Sequence, residues 1–186
     1  MSGAGPQSDS FAELAMPLFK QLYSFAHWLT QNREEAEDLV QETYAKALKG
    51  FSSFQLGTNF RAWMYRILRN TFLTSRTGLK ATSTVPIDSE EDGTELPVEN
   101  ENPESILLKR SDSQLVQSAI DDLPLHFREI LLLCEVEEMS YQEIAETLSI
   151  PIGTVMSRLS RARKTLRDGL RLRSQKGMSQ RVNYGL

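Results

Sequence analysis

A chain of 186 residues with 40% hydrophobic residues and a formal charge of −4 has room for one domain or two small ones with real cores. Its longest apolar run, Ile130 to Cys134, is too short to cross a bilayer, and the opening stretch MSGAGPQSDSF has neither the basic nor the apolar part of a secretory signal. One cysteine excludes an intramolecular disulfide, and two histidines beside it are too few soft ligands for a zinc site. The expectation is a soluble cytoplasmic protein, not an enzyme, with no cofactor, no metal and no membrane insertion.

In chain order, Phe11 to Thr30 reads as helical, with Phe11, Leu14, Leu18, Leu22, Phe25 and Leu29 on one broad face. Pro17 marks a kink or a late helix start within it. Asn32 is an N-cap for a helix from Arg33 to Gly50, whose positive end suits Glu34 and Glu35. Its inward face is Ala36, Leu39, Val40, Tyr44, Ala47 and Leu48, which leaves Asp38, Gln41 and Glu42 on or near the exposed side. Those three are either a solvated acidic face or a docking face, and spacing does not choose.

FSSFQLGTN, residues 51–59, is a loop broken at Gly57. Phe60 to Ser75 follows as a helix, with Phe60, Trp63, Met64, Ile67, Leu68 and Phe72 on its apolar side. Arg61, Arg66, Arg69, Asn70 and Arg76 line the other side, with Trp63 and Tyr65 close to the arginines. That mixture suits single-stranded nucleic acid, where guanidinium groups meet phosphates and rings or pockets receive unstacked bases. Trp63 is assigned to the core.

Charge is segregated along the chain. Thr43 to Ile87 holds seven basic residues and no acid; Asp88 to Glu104 holds eight acids and no base. Gly78 to Asn102, rich in Gly, Pro, Ser, Thr and acids, buries too little apolar surface to offset chain ordering and reads as a flexible linker. A helix opens at Pro103 and runs through Ile106, Leu107, Leu108, Leu115, Val116 and Ile120 to a break at Leu123-Pro124. Pro124 to Met139 is the next, with Phe127, Ile130, Leu131, Cys134 and Val136 mostly inward.

Ser140 to Arg173 is the most informative stretch. Ser140 and Glu143 form a capping box ahead of an apolar stripe at Ile144, Ala145 and Leu148. Pro151, inside Ser149-Ile150-Pro151-Ile152-Gly153-Thr154, stops one helix and suits the first turn of another. Val155, Leu159, Ala162 and Leu166 give the second helix an apolar stripe. Arg158, Arg161, Arg163, Lys164, Arg167, Arg171 and Arg173 are opposed only by Asp168. A basic helix after a tight turn and a short scaffold helix suits the DNA major groove. The fold class is therefore all-α: two small helical domains joined by a flexible acidic linker, the C-terminal one containing a helix-turn-helix.

The stretches AEDLVQETYAKAL and FSSFQLGTNFRAWMYRILRN, then LPLHFREILLLCEVEEMSYQEIAETLSIPIGTVMSRLSRARKTLR, resemble bacterial sigma factors of the extracytoplasmic-function (ECF) class in order and spacing. The resemblance implies region 2 at 8–77, a linker at 78–104 and region 4 at 105–176. Region 2 would dock on the clamp helices of the largest subunit of core RNA polymerase through Asp38, Gln41 and Glu42. It would read the melted −10 promoter strand with Asn59, Arg61, Arg66, Arg69 and Asn70, base capture helping to drive opening. Region 4 would dock on the polymerase flap and read the duplex −35 element with Thr154, Met156, Ser157, Arg158, Ser160, Arg161 and Lys164. An anti-sigma factor is the expected regulator.

Three positions depart from the pattern. Met156 and Ser160 stand where many members carry a basic and a larger or aromatic residue, so fewer bidentate base contacts come from them. Thr74 stands where many have an acid. GTVMSRL and FRAWMYRIL resemble the subgroup that answers oxidative or thiol stress, although Cys134 alone gives no redox switch. Two other readings compete. A free-standing helix-turn-helix regulator would need a dimerisation element, and no heptad run supplies one. An enzyme acting on nucleic acid would need a metal cluster, a nucleophile–base pair or a phosphate-cradling glycine loop, and none is evident.

Overall fold

The computed structural model describes residues 6–55, 57–79 and 113–182, and all regular structure among them is helical. The elements are α1 (Pro6–Ala15), a 3-10 turn (Met16–Leu18), α2 (Phe19–Thr30), α3 (Arg33–Gly50), a second 3-10 turn (Phe51–Ser53) and α4 (Phe60–Leu79). Then come α5 (Ser113–Asp121), α6 (Leu125–Glu135), α7 (Tyr141–Leu148) and α8 (Ile152–Val182). By compactness the chain divides into residues 1–94 with 142–150, and residues 95–141 with 151–186. The expected linker from residue 80 onward, and the helix start expected at Pro103, lie outside the described residues. Gly78 and Leu79, assigned to that linker, are the last residues of α4.

In the first unit α2, α3 and α4 pack on one another. Pro17 does not kink one helix; it separates two, because it sits at the start of the 3-10 turn where its missing N–H costs nothing. The phase shift at that turn turns Leu14 outward and brings Ala15 into the core in its place. Helix α2 ends at Gln31, whose left-handed φ of 56° lets its N–H reach the His27 carbonyl at 2.8 Å. Helix α3 begins as the sequence indicates: the Asn32 side chain accepts from the Glu35 N–H at 3.1 Å.

The buried face of α3 differs from the expected one. Ala36, Leu39, Val40 and Ala47 are buried, Tyr44 is half-buried, and Leu48 is 49% exposed. Leu48 lies away from the azimuth that points to the core. Thr43 occupies that azimuth, fully buried, its hydroxyl donating to the Leu39 carbonyl at 2.7 Å. The Tyr44 hydroxyl donates to the carbonyl of Ala15 at 2.7 Å and so satisfies the end of α1. Burial pushes the Tyr44 phenol up to about 12.

The second unit is built on α8, against which α5 and α6 pack. Ile130 to Leu133 of α6 are all buried, Phe127 and Cys134 are half-buried, and Val136 has passed the helix end and is exposed, contrary to expectation. The end of α5 depends on a buried charge. Arg128 of α6 donates to the carbonyls of Ile120 at 3.2 Å, Asp121, and Leu123 at 3.1 Å; the Ile120 carbonyl also accepts from the Leu123 N–H at 3.1 Å, and the other two depend on the guanidinium.

Two stability outcomes follow. Arg128→Met keeps the apolar stem and strands the Asp121 and Leu123 carbonyls, so it lowers the second unit's stability by about 3 kcal/mol in denaturant unfolding. Tyr44→Phe costs about 1 kcal/mol at neutral pH. The folded phenol titrates above its ordinary value of 10, so its contribution is full below pH 10 and is lost as pH rises towards about 12. Ultraviolet titration of Tyr44→Phe lacks that late-ionising phenol.

Candidate nucleic-acid interface

The helix-turn-helix is fixed by backbone conformation at each step. Helix α7 closes with Ser149 in the left-handed region, φ 56°, and the Ile150 N–H reaching back to the Ala145 carbonyl at 3.1 Å. This is the six-to-one closure that usually employs glycine. The carbonyl of Pro151 then accepts from the N–H groups of Thr154 at 2.9 Å and Val155 at 3.1 Å, opening α8. Ile144, Ala145 and Leu148 of α7 are buried, as are Val155, Leu159, Ala162 and Leu166 of α8. Both apolar stripes agree with the sequence reading.

The stripe on α8 decides what faces outward. Met156, Ser157, Ser160 and Lys164 are exposed; Thr154, Arg158 and Arg161 are half-buried. All seven candidates lie in the first thirteen residues of α8, away from its buried stripe. The Ser157 hydroxyl donates to the Thr154 carbonyl at 3.1 Å. The seven basic residues of this stretch do not act alike. Arg163 turns back to α6, where its Nε and Nη2 reach Glu135 Oε1 at 3.0 and 2.7 Å and Nη2 lies 3.7 Å from the Cys134 sulfur. Burial works against the Arg163 charge, and Glu135 outweighs it, so the guanidinium is held more firmly protonated than usual. Arg173 pairs with Asp122 and donates to the Ser118 carbonyl at 3.3 Å, fastening α8 to the end of α5. These two arginines hold the helix; they do not belong to its outward face.

In the first unit the loop before α4 turns at Gly57, φ +94°, a conformation that suits glycine. Asn59 caps α4, its side-chain oxygen accepting from the Ala62 N–H at 3.0 Å. An aromatic cluster braces this entry: the Trp63 ring lies 5.0 Å from Phe54 and 5.5 Å from Phe60, and Phe51 and Phe11 join it edge-on. Trp63 is half-buried within that cluster, and Tyr65 is fully buried against Phe25, so Tyr65 offers no ring to a base. Arg66, Arg69 and Asn70 share the side of α4 turned from its core by their spacing, half-buried, half-buried and exposed in turn. Arg61 stands apart from them, on the core side at the first turn, with its guanidinium 5.7 Å from the Tyr65 ring centre. Nε of Arg66 is screened from solvent without a hydrogen-bond partner among the described residues. Arg76, read as part of the same basic side, instead lies over the Phe72 ring and 3.8 Å from Glu35.

Asp38, Gln41 and Glu42 are exposed at spacings of three and four on α3, one ridge opposite its buried face. Glu42 pairs with Lys46 at 2.7 Å, both largely exposed, a contact worth little to stability. Leu48 extends this ridge, two turns on from Gln41. No group of His, Cys, Asp and Glu suited to a metal occurs among the described residues, and no helix there is long and apolar enough to cross a membrane.

Residues 14–81 match the family described as Sigma-70 region 2, and residues 113–166 match Sigma-70, region 4. The chain is 39% identical over 166 residues to the ECF RNA polymerase sigma factor SigE of Mycolicibacterium smegmatis, covering 87% of this chain but only 62% of that relative. It is 32% identical over 170 residues to the ECF sigma factor SigW of Bacillus subtilis, covering 88% of this chain and 90% of the relative. Among solved structures it is similar to the sigma factor RpoE in complex with the anti-sigma factor NepR from Bartonella quintana. That match has a TM-score of 0.65 and 29% identity, over 88% of this chain and 98% of that one. Region 2 and region 4 matches in this order, with relatives of that identity and coverage, lead to one conclusion: the chain belongs to the ECF RNA polymerase sigma factors, non-enzymatic factors of transcription initiation.

Proposed function

We propose that this chain is an alternative sigma factor that binds core RNA polymerase, directs it to a set of promoters and is held in check by an anti-sigma factor. The observation that carries the reading is the separation of two exposed surfaces of opposite charge, each backed by a buried apolar stripe: the acidic ridge of α3 and the basic outward face of α8. Asp38, Gln41 and Glu42 dock on the clamp helices of the largest subunit, and the C-terminal domain docks on the flap. Asn59, Arg66, Arg69 and Asn70 meet the melted −10 strand, and Arg61 supports the entry to that site through Tyr65. Thr154 to Lys164 read the −35 duplex. The working division is 8–77 for region 2, 78–104 for the linker and 105–176 for region 4, in a cytoplasmic protein.

The physiological role is a stress response of the oxidative or thiol kind, a reading supported by the likeness of GTVMSRL and FRAWMYRIL to that subgroup. Cys134 is half-buried and its thiol is pushed up, by burial first and by Glu135 next, which disfavours the reactive thiolate. Redox sensing therefore belongs to the partner, and Cys134→Ser leaves induction by a thiol oxidant unchanged in a reporter strain. Loss of induction in that variant would place the sensor in this chain instead.

The test of the main reading is co-elution with core polymerase together with run-off transcription. Arg158→Glu with Arg161→Glu abolishes −35-dependent transcripts and spares co-elution. Asp38→Lys with Glu42→Lys abolishes co-elution. Equal damage to core binding by both pairs overturns the assignment of separate surfaces. Tight binding to duplex DNA without any affinity for core would point to a free-standing regulator.

A further inference from the structure

The outward side of α8 is not uniform. At about 100° per residue, Thr154, Arg158, Arg161 and Thr165 run along one flank of the helix, while Ile152, Met156 and Ser160 follow each other at four-residue intervals along the other. The first flank is cationic and hydroxylic. The second is uncharged through its first turns, until Arg163, turned back to Glu135, and Lys164: Ile152 is 47% exposed, Met156 is 56% exposed, and Ser160 is exposed beside them. Single exposed apolar residues are ordinary on a protein surface. Here two of them stand one turn apart, in the first turns of the helix that the −35 reading inserts into the groove. Those first turns are where side chains reach base edges. The core has no use for either side chain, since the stripe at Val155, Leu159, Ala162 and Leu166 already fills it.

We infer that Met156, with Ile152 beside it, reads the C5-methyl group of a thymine in the upstream promoter element. The inference rests on the −35 reading of α8 and deepens it. The thymine methyl is the apolar mark on the major-groove floor, so an unbranched, adaptable thioether gains by covering it. A cytosine at the same place presents an N4 amine, which Met156 cannot satisfy by a strong hydrogen bond. The cationic flank meanwhile supplies phosphate and guanine contacts, so the helix takes affinity from one side and a methyl-based preference from the other. Ser160, small and exposed, leaves room for the neighbouring base pair to approach this flank.

The experiment removes only the methyl. Full-length chain is assembled with core polymerase, and its upstream element is mapped by start sites. Each thymine of that element is then replaced singly by deoxyuridine, which pairs identically. Complex formation is measured for the unmodified protein, Met156→Ala and Arg158→Ala. At one position the unmodified protein loses about fourfold on replacement, the contribution of one buried methyl, and Met156→Ala loses nothing further there. Arg158→Ala binds more weakly throughout and keeps the fourfold difference. If no thymine is sensitive, or if Met156→Ala is as sensitive as the parent, the inference is overturned while the sigma reading stands. If no polymerase complex forms at all, both fall, and core binding alone reports that outcome.

Discussion

The functional reading of this chain depends on one rotational constraint. Four side chains, Val155, Leu159, Ala162 and Leu166, are buried on a single stripe of α8, and a helix so anchored has no freedom to turn about its axis. Arg163 reinforces the constraint by reaching Glu135 on α6, and Arg173 by reaching Asp122 and the Ser118 carbonyl. Two of the cations that make this helix look uniformly basic are thereby spent on orientation. What remains outward is a narrower, asymmetric surface than composition indicates, with charge along one flank and apolar groups over the first turns of the other.

The same logic operates in the first unit with the sign reversed. Helix α3 turns Ala36, Leu39, Val40, Thr43 and Ala47 inward and an acidic ridge outward, while α4 turns Met64, Tyr65, Leu68 and Phe72 inward and Arg66 and Arg69 away. Because the interior of these helices is filled by apolar groups and by threonines that are hydrogen-bonded, Thr30 and Thr43 to carbonyls one turn back and Thr71 by Lys46, the acidic ridge is left to face outward. The aromatic cluster of Phe51, Phe54, Phe60 and Trp63 gives the loop before α4 a stiff base, so the polar side chains that follow start from a defined place.

Much of this was legible in the residues. Periodicity located the helices, Asn32 announced the start of α3, and both stripes of the helix-turn-helix are buried as read. The differences share a cause: hydrophobicity alone does not decide direction. Leu48, Leu14 and Val136 are apolar and exposed, because azimuth, a phase shift at Pro17, and a helix end respectively carry them away from the core. Thr43 is polar and buried because its hydroxyl closes on its own helix. The role of Arg128 is hidden from the sequence for a related reason. Its signal is the Arg128–Glu129 pair directly ahead of the apolar run of α6, where burial demands partners, but the partners of Arg128 include carbonyls at the end of another helix, invisible to any pattern within α6. The division of labour among the α8 arginines was equally hidden, since it depends on which residues of α5 and α6 come near.

Helix α8 has a further mechanical consequence. It continues as one helix for sixteen residues beyond Leu166, where the region 4 match ends, to Val182. That continuation is an arm about 24 Å long. It shares an axis with the segment carrying the outward face and is pinned by Arg173 to Asp122 and the Ser118 carbonyl, so a tilt of that segment passes along the arm about that fixed point. Whatever touches the tip therefore holds a lever, pivoting at Arg173, on the pitch of the outward-facing segment.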